Sequence, residues 1–359
     1  MKSNYTRRRF LTTTAAAGAA TLAMPSLSRA ADREITVGTY GGFFEESFRD
    51  GIYPDFTAAT GIKVNSVAVP TGETYIVQIR NAARGKKAPA DVAMMANVPR
   101  LRGQAQNLFK RLDASKIPNL SNVPEDFQYS YDDGSFYASA AIAWFVTLVT
   151  NTDVMPDPVD SWAEIWDPKH ENSLGLLGLA TNSNLLEITA TTFFGGTDIL
   201  DTQDGIEQVF GKLEELTPNV RLWYKDEGTF QQQLVDGEIP WGQYYHDVTV
   251  LKALDGEPLR SNFPKEGGIR ETGAWIVPEH STKDEEAHVY INYMLDPAIQ
   301  AHLARNVGTA PVVDPASTGL SAEELAMVSS DITPIVPKYQ MYFDHGDWIA
   351  DRWNQLISG

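Results

Sequence analysis

From residue 34 onward, short runs rich in β-branched and aromatic residues alternate with stretches of helical periodicity, which restricts the chain to α/β architecture with largely parallel sheets. Glu34-Ile35-Thr36-Val37-Gly38 predicts a strand that ends at Tyr40-Gly41-Gly42. Residues 43–60 place Phe44, Phe48, Ile52, Phe56 and Ala59 on one helical face and stop at Gly61. Ile62-Lys63-Val64-Asn65-Ser66-Val67 returns as a strand, residues 75–84 as a helix and residues 90–95 as a buried strand, completing a βαβαβ unit. In such sheets ligands sit outside the carboxyl ends of the strands. The loops at 39–43, 71–75 and 96–98 are therefore the candidate binding loops, and they bring in Tyr40 and Asn97.

A second α/β region follows. Residues 138–150 are apolar and β-rich, Ser161 is placed to cap a helical turn at 162–166, residues 174–179 are strand-like and residues 185–194 helical. Residues 230–235 run as a helix to Asp236-Gly237, and residues 239–245 form a strand leading into His246-Asp247. Two helices are predicted at 282–295 and 297–306. No internal repeat and no single Pro/Gly/Ser-rich linker divides the chain, so the pattern implies two lobes joined by several crossings.

The first thirty residues read as an export signal of the twin-arginine type. Thr6-Arg7-Arg8-Arg9-Phe10-Leu11 precedes a weakly apolar stretch at 15–24, and Ser28-Arg29-Ala30 supplies small residues for a peptidase. The apolar stretch is far short of the roughly 20 residues of a membrane span. The mature protein is thus expected to begin near Ala31 and to act in the periplasm. Removing residues 1–30 takes away Lys2, Arg7, Arg8, Arg9 and Arg29 but no acid, so the net charge falls from -18 to -23. A field of that sign repels nucleic acid and anionic membrane surfaces and concentrates cations. Cysteine is absent, which excludes disulfides, thiolate metal sites and a cysteine nucleophile. No Gly-x-Ser-x-Gly elbow, phosphate loop or His-Glu-x-x-His helix is present. No cofactor is implied and no enzyme is expected, with a hydrolase using two distant carboxylates as the remaining catalytic alternative.

Several segments in order carry a resemblance. Tyr40-Gly41-Gly42 is followed by a helix ending in Thr60-Gly61-Ile62-Lys63-Val64, then come Ala90-Asp91-Val92, Asp160-Ser161-Trp162-Ala163-Glu164-Ile165-Trp166-Asp167-Pro168 and Phe263-Pro264-Lys265-Glu266-Gly267-Gly268-Ile269. Together these resemble the extracellular solute-binding proteins of ABC importers, in the branch that includes spermidine and putrescine binders. The resemblance implies a two-lobed periplasmic-binding-protein fold of type II with a ligand cleft between the lobes. Lobe one would combine residues 32–148 with 273–307, lobe two 149–272 with 308–359, and the crossings would fall near 147–151, 270–274 and 306–311. It further implies a monomer that closes on its ligand and docks on a membrane permease.

The same resemblance sets expectations for the site. Polyamine binders of this branch hold ammonium groups between aromatic faces and carboxylates, because a cation leaving water needs both charge neutralisation and a polarisable wall. Tyr40, Tyr245 and Asp247 match that chemistry, and Tyr245 stands where the family places an indole. Departures are equally informative: the family's Trp and Asp after Gly-Gly-Ile become Glu271 and Gly273, and its acidic pair after the 174–179 strand becomes Thr181-Asn182-Ser183-Asn184. The expected ligand set is Tyr40, Asn97, Asn182, Tyr245, Asp247 and Glu271, with no metal, and the ligand a small amine: a polyamine, an amino-acid derivative or an opine-like compound. Ferric iron is the alternative, since Tyr244-Tyr245-His246 is similar to iron-binding relatives, although their strand before the tyrosine pair is longer and Tyr40 stands where they have histidine. Alternation sends Tyr244 and Tyr245 to opposite faces, so Tyr244 is expected in the core. Trp162 and Trp166 read as packing residues, and Asp344 and Asp347 as solvated acids.

Overall fold

The computed structural model describes residues 33–70 and 72–358; the arginine pair and the small-residue segment of the export signal lie outside them. Strands are β1 Glu34–Tyr40, β2 Lys63–Val69, β3 Val92–Ala96, β4 Gln128–Ser130, β5 Phe136–Asn151, β6 Leu174–Leu177, β7 Val220–Tyr224, β8 Trp241–Tyr245, β9 Leu259–Asn262 and β10 Ile269–Ile276. Helices are α1 Phe43–Gly51, α2 Tyr53–Thr60, α3 Glu73–Arg84, α4 Asn97–Ala105, α5 Ala180–Ser183, α6 Leu185–Phe194, α7 Gln203–Glu214, α8 Glu227–Val235, α9 His246–Leu254, α10 Asp284–Met294, α11 Pro297–Val307, α12 Ala322–Ala326 and α13 Tyr339–Ser358.

The strands run in the order β2-β1-β3-β10-β5-β8-β6-β7, with β4 and β9 also paired to β5. β5 organises the molecule. Its first half pairs with β10 from Ala138 to Val146, and its second half pairs with β8 from Val146 to Thr150 and with β9 from Leu148 to Asn151. One long strand therefore serves two half-sheets. The buried apolar clusters divide at the same place: Phe145 belongs to the cluster that holds Ile35, Phe48, Phe56, Trp275 and Tyr290, whereas Val146 belongs to the one that holds Trp162, Leu174, Phe210, Trp241 and Trp353. Each fully buried side chain of this size contributes about 1.5–3 kcal/mol, so each cluster is a core in its own right.

The single helix expected over 43–60 is two. Pro54 has no N–H to give the carbonyl of residue 50 and its ring crowds that carbonyl, so α1 ends at Gly51 and α2 starts with proline in its first turn. The expected loop at 96–98 is also corrected: β3 ends at Ala96 and α4 begins at Asn97 without an intervening turn. The two most family-like segments are tied to each other. Ser161 Oγ donates to Glu266 Oε1 (2.6 Å) and accepts from Ala163 N–H (3.2 Å), the backbone N–H of Trp162 donates to Glu266 Oε2 (3.0 Å), and its indole donates to the Gly267 carbonyl (2.8 Å). Gly267 has φ 106°, and a Cβ there would lie 2.3 Å from the Thr333 carbonyl oxygen, so no other residue fits. Trp162 and Trp166 are both buried, as packing residues should be.

The long C-terminal helix α13 was not read from the sequence. Its entry is fixed by Glu187, fully buried on α6, which accepts from Lys338 N–H (3.0 Å) and from the Tyr342 hydroxyl (2.9 Å). The helix then packs on both α4 and α5, linking the two halves of the molecule, with the Trp353 indole donating to the Gly178 carbonyl (3.2 Å). Among the described residues no helix is long and apolar enough to cross a membrane.

Candidate functional site

Side-chain alternation on β5 builds one wall of a cavity of about 590 Å³. Trp144 and Val146 share a face, two residues apart. Glu271 is opposite Trp144 on β10, and Tyr245 is opposite Val146 on β8, so these four side chains meet at the junction of the half-sheets and all line the cavity. Phe145, between them, turns the other way and packs edge-on to Phe263 at 5.1 Å. Tyr40 and Phe44 enter from the end of β1 and the start of α1, Asn97 from α4, Asn182 from α5, Asp247 from α9 and Tyr339 from α13. The structure thus brings all six sequence-expected residues, Tyr40, Asn97, Asn182, Tyr245, Asp247 and Glu271, to one cavity.

Their surroundings differ. Tyr40 meets Phe44 edge-to-face at 6.2 Å, and its buried hydroxyl has no hydrogen-bond partner. Gly273 makes the ring's place: a Cβ there would stand 3.3 Å from the Tyr40 hydroxyl oxygen and 3.1 Å from Met94 Cγ. Asn97 is buried and its amide is largely spent, donating to the Thr272 carbonyl (3.0 Å) and hydroxyl (2.8 Å) and accepting from Arg100 Nε (3.3 Å). Asn182 is exposed at the rim and accepts from the Thr181 hydroxyl (2.8 Å). The Tyr245 hydroxyl donates to Glu227 Oε1 (2.8 Å).

Glu271 has both oxygens occupied, by Asn184 Nδ2 (2.9 Å) and by the Tyr339 hydroxyl (2.9 Å). Burial still pushes its carboxyl up to about 7, with the nearby Glu187 charge adding to the rise. Asp247 is only 8% exposed, yet its Oδ1 has no hydrogen-bond partner. α11 ends at Gly308 (φ 81°), whose bare backbone lets the chain cross close over Asp247; a Cβ there would lie 3.3 Å from Asp247 Cβ. That burial pushes the carboxyl up to about 7, and the charge of Glu227 raises it further, against the opposing pull of the backbone N–H groups at the start of α9. An unpaired buried carboxylate is costly, and a cation in the cavity is the direct way to offset it.

Sequence reasoning missed Trp144, Glu227, Tyr339 and Arg102 as lining residues. Trp144 was hidden in an apolar run, Tyr339 lies on the unread C-terminal helix, and Glu227 and Arg102 belong to no motif. Arg102, the one cationic side chain among the described lining residues, is held at the mouth by Glu73 at 2.8 Å. His246 is not part of the cavity lining. Its Nε2 faces the Met327 carbonyl (2.9 Å) and must carry the proton, leaving Nδ1 to accept from Ser261 (2.9 Å), and burial depresses its pKa to about 4. Tyr244 is buried with Tyr224 and Phe230, as alternation requires, and Asp344 and Asp347 are exposed. Burial and nearby carboxylates push the phenols of Tyr40 and Tyr245 upward, which disfavours phenolate ligation. Among the described residues no three His, Asp or Glu gather as a metal-holding group.

Two half-sheets share one strand, and a concave, aromatic and acidic cavity lies at their junction. The chain belongs to the bacterial extracellular solute-binding protein family, whose model matches residues 52–328. It is similar to the spermidine/putrescine-binding periplasmic protein of Salmonella typhimurium, 27% identical over 339 residues that cover 94% of this chain and 92% of that one. It is also similar to the gamma-aminobutyric acid-binding protein of Pseudomonas aeruginosa, 20% identical over 351 residues, 93% of each chain. In fold it is similar to an ABC transporter substrate-binding protein from Bradyrhizobium japonicum, with TM-score 0.77 at 21% identity over 90% of this chain and 99% of that one.

Proposed function

We propose that the protein is the periplasmic capture component of an ABC importer and that its solute is a small amine. The observation that carries the reading is Asp247: a buried carboxylate with an unpartnered oxygen, in a cavity walled by Tyr40, Phe44, Trp144 and Tyr245. An ammonium group neutralises that charge while its apolar stem lies against the rings. The relatives named for polyamines and for gamma-aminobutyric acid support an amine of either kind. The lobes in this reading are residues 32–148 with 273–307, and 149–272 with 308–359. The change of core between Phe145 and Val146 supports the first crossing, and the packing of Ala310, Val312 and Val313 in the first core favours drawing the third crossing a few residues later. Ligand bridging the lobes favours the closed form, which docks on the permease as a monomer, and residues 1–30 direct export by the twin-arginine route.

The test is a thermal-shift screen of the mature protein against putrescine, spermidine, gamma-aminobutyric acid and ferric citrate. Ligand at a hundredfold its Kd stabilises the native state by about 2.7 kcal/mol. A shift with at least one amine and none with ferric citrate is expected; a shift with ferric citrate alone, with visible colour, contradicts the reading.

A further inference from the structure

We propose that Glu227 is the second carboxylate of the solute site, forming with Asp247 a single ammonium subsite on the wall made by α8, β8 and α9, while Glu271 stands outside it. The proposal rests on reading the cavity as an amine site.

Glu227 and Asp247 both line the cavity, with Tyr245 beside them. The Tyr245 hydroxyl holds Glu227 Oε1 at 2.8 Å, and among the described residues no donor reaches Oε2. Asp247 likewise has a buried oxygen with no partner. Glu271 differs, because Asn184 and Tyr339 fill both its oxygens with neutral donors.

Both carboxyls sit at helix starts. Glu227 is the first residue of α8, whose N-terminus is capped by Asp226 accepting from Thr229 N–H (2.7 Å), and Asp247 is the second residue of α9. Amides at helix starts favour negative charge there. No protein cation answers it: Arg102, the one cationic side chain among the described lining residues, is already paired with Glu73. The mutual repulsion of Glu227 and Asp247 is part of what raises the latter, and one ammonium between them relieves it. The plain alternative is that Glu227 only begins a helix and orients the Tyr245 ring.

Glu227→Gln separates the two, because glutamine keeps a carbonyl oxygen to accept from Tyr245 and loses only the charge. Calorimetry of the mature protein uses putrescine, spermidine and gamma-aminobutyric acid as probes. Glu227→Gln is expected to weaken whichever probe the wild type binds by roughly ten- to a hundredfold, the scale of one charged hydrogen bond, and to flatten the salt dependence of binding. Glu271→Gln is expected to change affinity less than about threefold. In the double variant Glu227→Gln/Asp247→Asn the two losses should fall short of additive, as for groups sharing one ligand atom. Wild-type binding with Glu227→Gln within twofold of it, or with Glu271→Gln the more damaging, overturns the assignment and leaves the amine reading standing. Absence of binding by the wild type to all three probes overturns both. Should Asp247→Asn fail to fold, Glu227→Gln decides alone, since Glu227 is exposed and its loss leaves the core untouched.

Discussion

Asp247, buried, and Glu271, half-buried, line one cavity and are both pushed up to about 7, yet they are wired in opposite ways. Glu271 belongs to a satisfied network: it and Glu187 receive Asn184, Tyr339, Tyr342 and the Lys338 N–H, and thereby fasten the start of α13 to the body of the protein. Asp247 faces the cavity with an oxygen nothing fills. A raised pKa alone would rank the two alike. The inventory of partners separates a carboxylate that holds the protein together from one with an open oxygen at the cavity.

The widest gap between them should show in binding. Asp247→Asn leaves a bound ammonium uncompensated and is expected to cost about 2–5 kcal/mol of affinity, read by calorimetry, with Glu271→Gln well below it. Equal losses would erase the distinction.

The second gap lies in the pH dependence of the ligand-free protein. A carboxyl whose folded pKa rises from 3.8 to about 7 binds more protons folded than unfolded, so its contribution to stability is lost as pH rises from about 4 to about 7. Asp247→Asn removes that loss. The variant is expected to gain on the wild type by as much as about 4 kcal/mol above pH 7 and by much less near pH 4, measured by denaturant unfolding at both values. A gain that does not change with pH would mean that Asp247 titrates in the ordinary range.

The smallest effect tests the satisfied network. Tyr342→Phe strands Glu187 Oε2 in the core and is expected to destabilise by about 1–3 kcal/mol without changing solute affinity. A lost affinity with unchanged stability would move α13 from scaffold to binding surface.

The sequence exposed much of this arrangement where a residue's role follows from its neighbours in the chain. A strand end pointed to Tyr40, the family resemblance to Asp247, alternation separated Tyr244 from Tyr245, and the Ser161-Trp162 and Gly267-Gly268 segments proved to be two sides of one contact. It stayed silent where the role is set by residues distant in sequence. Trp144 reaches the cavity because Glu271 pairs with it across β5, and Tyr339 because Glu187, about 150 residues earlier, anchors its helix. Asn97 marks the opposite case. It was legible as a loop residue at a strand end, but its amide is committed to Thr272 and Arg100, which only the folded chain reveals.

The central claim is that Asp247 is a buried carboxylate awaiting a cation, and carboxyl-selective NMR of the mature protein reads it directly. With no solute, the Asp247 carbon should titrate near 7; with a saturating amine it should fall below the ordinary aspartate value of about 3.9, because the bound ammonium favours the ionised form. A titration that stays unchanged when the amine binds would contradict the claim.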